Sequence, residues 1–132
     1  MKICVIDDDP VYIFTVGHLL KHISFEGEIE VYKDGKEAFE GLKESQMRGD
    51  RQPELILLDL NMPVWDGWDF LGEYEKLQGA ADAAVYIASS SDHPDDVSRA
   101  EQHSLVKGVL LKPLTADILK DLIAALRPRE KL

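Results

Sequence analysis

Cationic side chains are scarce in this sequence: 15 Lys and Arg stand against 25 Asp and Glu, for a formal net charge of -10 over 132 residues. That balance argues against binding nucleic acid through its phosphates, which requires Lys and Arg clustered on one face. It suits metal cations and basic partners better. Cysteine is nearly absent as well. The single Cys4 sits in the apolar run Ile3-Cys4-Val5-Ile6, so no disulfide can form within the chain, and a small buried thiol is the expectation there. Missing too are a signal-peptide pattern and any apolar run long enough to cross a bilayer, so the expectation is a cytoplasmic protein without a membrane segment. Low-complexity stretches, linkers and internal repeats are absent. What is present, 45% apolar and 30% charged residues, leads to the expectation of one globular domain over residues 1–132 without an output domain.

The most telling stretch is Leu55-Ile56-Leu57-Leu58-Asp59-Leu60-Asn61-Met62-Pro63. Unbroken aliphatic residues read as a strand covered on both faces, as in a parallel sheet flanked by helices. Asp59 then falls at the carboxyl end of that strand, the edge at which open α/β sheets bind ligands. Alone, it could equally be a turn former.

The rest of the chain supplies its company. Residues 2 to 6 form a first strand, and Asp9-Pro10 caps and opens a helix whose inward stripe is Ile13, Val16, Leu20 and Ile23. A second strand lies near Ile29 to Tyr32. Asp34-Gly35 opens a helix to about Met47, with Ala38, Phe39 and Leu42 inward. The third strand spans Glu54 to Leu58. Asp66-Gly67 precedes a helix carrying Phe70, Leu71, Tyr74 and Leu77, with Gly79 as its stop. Ala84 to Ser89 is the fourth strand, followed by a helix from about Asp95 to His103 whose start is favoured by Asp92, Asp95 and Asp96. Lys107 to Leu111 is the fifth strand. Thr115 caps a last helix with Ile118, Leu119, Leu122, Ile123 and Leu126 inward, and the basic residues from Arg127 read as a solvated helix end. Five strands alternating with five helices predict a doubly wound parallel α/β sheet.

In that arrangement one sheet edge collects Asp7 and Asp8, Asp59, Ser89 or Ser90, and Lys112. Three converging carboxylates repel one another unless protons or a cation relieve them. Mg²⁺ suits the set, being a hard ion held by one or two carboxylates, waters and phosphate oxygens. With such an ion bound, Asp59 can act as an oxygen nucleophile toward phosphorus. Lys112 and a serine hydroxyl can then take peripheral oxygens of the phosphoryl group. The histidines His18, His22, His93 and His103 share no motif with these acids, and Trp65 and Trp68 read as packing residues beside the rim.

Val5-Ile6-Asp7-Asp8-Asp9, Leu58-Asp59-Leu60-Asn61-Met62-Pro63, Asp66-Gly67, the serines ending the fourth strand and Leu111-Lys112-Pro113 stand in the order and spacing of a known family. On these motifs the chain resembles the receiver domains of bacterial two-component response regulators, of the stand-alone, chemotaxis-receiver type. The resemblance implies a flavodoxin-like (βα)5 fold with strand order 2-1-3-4-5. It implies that Asp59 takes a phosphoryl group from a sensor histidine kinase or histidine phosphotransfer protein. Asp8 and Asp59 would coordinate Mg²⁺ directly, with the main-chain carbonyl of Asn61 as third protein ligand and Asp7 acting through water; Mn²⁺ can substitute. Lys112 would pair with the acceptor carboxylate and later the phosphate, and its bond to Pro113 would be cis.

Alternation through Val85, Tyr86, Ile87 and Ala88 points to Ser89 as the switch hydroxyl, whereas counting back from Lys112 over the commonest loop length points to Ser90. Ser89 is preferred, because strand register is the tighter constraint. Many receivers carry an aromatic residue three positions before the lysine; here Val109 stands there, with no ring to swing.

The expected function is signalling by docking of the phosphorylated form to a downstream protein, as a monomer or a weak phosphorylation-dependent dimer. An alternative is a relay that passes the phosphoryl group to a histidine phosphotransfer protein. A phosphohydrolase with an aspartyl nucleophile is a further alternative, which Asn61 disfavours: enzymes resembling the haloacid dehalogenases need an acid there, and an amide cannot donate and retake a proton.

Overall fold

The computed structural model describes residues 1–90 and 94–126. Five strands, β1 (Lys2–Ile6), β2 (Glu28–Tyr32), β3 (Leu55–Leu58), β4 (Ala84–Ser89) and β5 (Val106–Leu111), form one parallel sheet in the order β2-β1-β3-β4-β5. Helices α1 (Pro10–His22), α2 (Gly35–Met47), α3 (Gly67–Tyr74), α4 (Pro94–Gln102) and α5 (Ala116–Leu126) alternate with them. This is the flavodoxin-like order that the sequence motifs implied.

Unbroken apolar runs fold as central strands because both of their faces are covered. All four residues of β3 are at most 1% exposed, and burying each such side chain contributes about 1.5–3 kcal/mol. Side chains alternate between two cores along each strand. Cys4, Ile6, Ile56, Leu58, Val85 and Ile87 meet Ala38 and Leu42 of α2, Phe70, Leu71 and Tyr74 of α3, and Ala100 of α4. On the other face, Ile3, Val5, Leu55, Leu57 and Ala88 meet Tyr12, Val16 and Leu20 of α1 and Leu119 and Ile123 of α5. Cys4 is wholly buried, and burial pushes its thiol well above the ordinary value.

The helix starts follow from their caps. Asp9 accepts from the Val11 N–H with Pro10 in the first turn, Asp34 accepts from the Glu37 N–H, and Asp66 exchanges a capping box with Asp69. The Thr115 hydroxyl accepts from the Ile118 N–H at the start of α5. Asp95 and Asp96 occupy the first turn of α4, as expected. Asp92, His93 and Ser91 lie outside the described residues, as does the tail from Arg127.

Two expectations need correction. The buried stripe of α1 is Tyr12, Val16 and Leu20, and Ile13 is only half-buried. Helix α3 ends at Tyr74, five residues before Gly79; that glycine, at φ 80°, instead precedes a short 3-10 turn at Ala80–Asp82. Its left-handed conformation, which favours glycine, serves that next turn.

Both tryptophans pack. Trp65 lies against the Phe39 ring, centroids 5.6 Å apart, and the Arg99 guanidinium sits 4.2 Å over Trp68. His18 and His22 are exposed on α1, while His103 Nδ1 accepts from the Leu105 N–H. No described helix is long and apolar enough to cross a membrane.

Candidate functional site

Parallel pairing brings the carboxyl ends of β1, β3, β4 and β5 to one edge, and the hydrogen-bond ladder continues past the strand ends to fix the first residues of the loops. The Asp7 N–H donates to the Tyr32 carbonyl at 3.0 Å, the Asp59 N–H to the Ile6 carbonyl at 2.9 Å, and the Lys112 N–H to the Ser89 carbonyl at 2.9 Å. The side chains projected from these three points meet. Asp7, Asp8 and Asp59 each offer a carboxylate oxygen, all within 4.8 Å of one another; Asp7 and Asp59 are buried and Asp8 is exposed. Lys112 Nζ lies 2.7 Å from Asp7 Oδ2 and 3.8 Å from Asp59 Oδ1.

The main chain of the β3–α3 loop is clamped at both ends. Gly67 donates to the Leu60 carbonyl at 3.0 Å, and a Cβ there would stand 2.6 Å from the Asp59 carbonyl oxygen and 2.9 Å from the Leu60 Cα. Gly35 donates to the Trp65 carbonyl at 3.1 Å and has equally little room, with that oxygen 2.8 Å from a Cβ. Close backbone approach, rather than turn geometry, requires glycine at both places.

The lysine pairs first with Asp7, not with the acceptor carboxylate as the motif resemblance implied. Both Asp7 oxygens accept a hydrogen bond, Oδ1 from the Asp9 N–H at 2.9 Å and Oδ2 from Lys112 at 2.7 Å. Asp59 is therefore left to bear the electrostatic load. Burial, then the Asp7 charge, push its carboxyl up to about 6, against the pull of Lys112 and of the Asn61 N–H that donates to it. Ser89 ends β4, buried, on the same side as Val85 and Ile87; Ser90 is exposed and lines a groove outside the acidic cluster. Asn61 is exposed, and the Lys112–Pro113 peptide is cis. Val109 packs half-buried against the α2, α3 and α4 core.

The sequence reading missed Tyr12. Its ring lies under the lysine, with Nζ 4.2 Å from the centroid. The signal was the spacing Tyr12, Val16, Leu20, Ile23, which fits a helical stripe as well as the one starting at Ile13 and brings an aromatic closer to the three acids.

A flavodoxin-like sheet with clustered acids and one ammonium at its carboxyl edge is the fold and site of a receiver. A family model described as the response regulator receiver domain matches residues 3–124, and the chain belongs to that family. Among solved structures it is similar to a two-component response regulator from Cytophaga hutchinsonii, 30% identical with a TM-score of 0.86 and 95% of each chain covered. It is also similar to the phosphorylated cyanobacterial phytochrome response regulator RcpA, at 26% identity and a TM-score of 0.77, covering 94% of this chain and 89% of that one. The probable methanogenesis regulatory protein FilR2 of Methanothrix harundinacea (strain 6Ac) is 29% identical over 118 residues, 89% of this chain and 76% of the relative. Other curated relatives are longer, the chain spanning 65% of one, 52% of another and 14% of a third. The protein is thus a receiver domain of a two-component response regulator, a class of phosphoacceptor signalling domain.

Proposed function

We propose that Asp59 accepts a phosphoryl group from a phosphohistidine on a sensor histidine kinase or phosphotransfer protein, in a Mg²⁺-dependent reaction, and that the phosphorylated chain signals by docking to another protein. One observation carries this reading: a buried carboxylate, strained by a second buried carboxylate 4.8 Å or less away, faces an ammonium not yet bonded to it.

The donor set fits a hard divalent cation. Three carboxylates and one ammonium leave two negative charges uncompensated, which a doubly charged ion balances. As the family resemblance implies, Asp8 and Asp59 would hold Mg²⁺ or Mn²⁺ directly with the Asn61 carbonyl as third protein ligand, and Asp7, whose oxygens already accept from Asp9 and Lys112, would act through water. Bound there, the ion would neutralise the acids and screen the incoming phosphoryl charge.

Asp59 supplies the nucleophilic oxygen. It forms the new O–P bond as the bond from phosphorus to the histidine nitrogen breaks, and the electron pair stays with the departing imidazole. Lys112 needs only a small displacement from Asp7 to meet a phosphoryl oxygen on Asp59. Ser89, whose backbone is bonded to Lys112, is the hydroxyl we assign to the remaining oxygen. Phosphate exchange would use α1 and the β5–α5 loop. Val11 and Phe14 of α1 are 70% and 75% exposed, beside a groove of about 370 Å³ that also touches Pro113 and Leu114.

Incubation with acetyl phosphate and Mg²⁺, followed by intact-mass measurement, tests the proposal. One phosphoryl adduct on the wild type, lost in Asp59→Asn and on chelation of the metal, is the expected result. An adduct that survives in Asp59→Asn overturns it. Affinity for beryllofluoride should fall in Ser89→Ala and hold in Ser90→Ala; the reverse would move the hydroxyl assignment to Ser90.

A further inference from the structure

Lys112 has an ammonium with three donors and, among the described residues, one hydrogen-bonded acceptor, Asp7 Oδ2 at 2.7 Å. Asp59 Oδ1, at 3.8 Å, is within ionic reach but beyond a hydrogen bond. On a third side lies the Tyr12 ring, its centroid 4.2 Å from Nζ, well inside the distance at which an aromatic face attracts a cation.

Tyr12 is an odd choice if it only fills the core. The residue is 7% exposed, and its buried hydroxyl has no hydrogen-bond partner among the described residues. Buried tyrosines usually find such a partner, and an unpaired hydroxyl is a cost that phenylalanine or leucine would avoid. The hydroxyl feels the charges of Asp7 and Asp59, which after burial push it well above its ordinary value, yet it bonds to neither. What remains to the side chain's credit is its ring face. The first turn of α1 holds that face in place: Asp9 caps the helix, Pro10 follows, and Asp7 Oδ1 binds the Asp9 N–H.

Building on the assignment of Asp59 as phosphoacceptor, we infer that the Tyr12 ring is the positioning surface for Lys112, holding the ammonium against the site while it exchanges Asp7 for a phosphoryl oxygen on Asp59. A ring face suits that duty because its attraction is not directional. An acceptor atom would have to be released for the lysine to travel, whereas the ammonium can slide over a π face and stay in contact. The ring also keeps water from the inner side of the lysine, whose side chain is only 15% exposed, and so strengthens its pull on whatever anion it meets.

Two substitutions test this. Tyr12→Phe keeps the ring and removes the unpartnered hydroxyl; Tyr12→Leu keeps an apolar body and removes the ring. NMR of the Lys112 ε-methylene, read without any phosphodonor, should show ring-current shifts upfield in the wild type and in Tyr12→Phe, and their loss in Tyr12→Leu. Phosphorylation by acetyl phosphate with Mg²⁺ should hold within about twofold in Tyr12→Phe and slow by about five- to thirtyfold in Tyr12→Leu, the range expected for a desolvated cation on a ring. An unshifted methylene in the wild type, an equal rate in Tyr12→Leu, or a Tyr12→Phe protein as slow as Tyr12→Leu each overturns the inference. Failure of the phosphoacceptor assignment looks different: the NMR pattern persists while no adduct forms on the wild type.

Discussion

Replacing Asp59 with asparagine should stabilise the protein, by an amount that depends on pH. The asparagine keeps the shape and removes the charge. In the native state the Asp59 carboxyl is raised from the ordinary 3.8 to about 6, so between these values the folded chain holds a proton that the unfolded chain releases. Stability from this group is complete below about pH 4 and is lost as pH rises through 6. About two pKa steps, at roughly 1.4 kcal/mol each, amount to about 3 kcal/mol at neutral pH, and this net figure already includes the attraction of Lys112. With Asp59 only 7% exposed, solvent does little to reduce it. Urea unfolding of wild type and Asp59→Asn in chelator-treated buffer from pH 4 to pH 8 measures it. The stability difference should widen by about 2.5 kcal/mol between pH 4 and pH 7 and then level off, the full difference at neutral pH being equivalent to about 10 °C in Tm. Acids remote from this cluster cancel in the comparison. A difference that stays flat, or narrows with pH, would refute the claim that this carboxylate is held against its own electrostatics.

Mg²⁺ should raise the wild-type Tm at pH 7, with a saturating dose about a hundredfold above Kd giving about 2.7 kcal/mol, and raise it less at pH 5 or in Asp59→Asn; equal gains in both proteins would remove Asp59 from the ion's surroundings. Lys112→Met leaves Asp7, 1% exposed, without its 2.7 Å partner, and should cost about 3 kcal/mol or more in urea unfolding at pH 7. A loss under about 1 kcal/mol would mean the pair is broken in solution. Gly67→Ala forces a methyl against the backbone of Asp59 and Leu60; it should destabilise by about 1–3 kcal/mol and slow acetyl-phosphate labelling, whereas a neutral outcome would show that the loop yields.

The sheet and its edge could be read from residues because several local signals agree. Leu55–Leu58, a short unbroken aliphatic run, reads as a strand buried on both faces, and Asp9, Asp34, Asp66 and Thr115 each stand where a helix start needs an acceptor. Local rules failed where two readings share one pattern. Ile13 and Tyr12 both complete a helical stripe with Val16 and Leu20, and only packing against the sheet and Lys112 decides between them. Gly79 marks a left-handed residue without saying which element it ends. The pairing of Lys112 with Asp7 rather than Asp59 depends on ångström differences among groups 105 residues apart in the chain, which no spacing encodes.

The segment that carries Asp59 is fastened through main-chain atoms, at Gly35 to Trp65 and at Gly67 to Leu60, and Asp59 itself takes the Asn61 N–H. None of these attachments consults the identity of the side chains at 61 to 64, three of which point largely into solvent. The side chains exposed on that rim can therefore change to suit a partner's contours while the main-chain fastening that places the Asp59 carboxylate is kept, and Met62, packed on the core, is the one of the four that cannot.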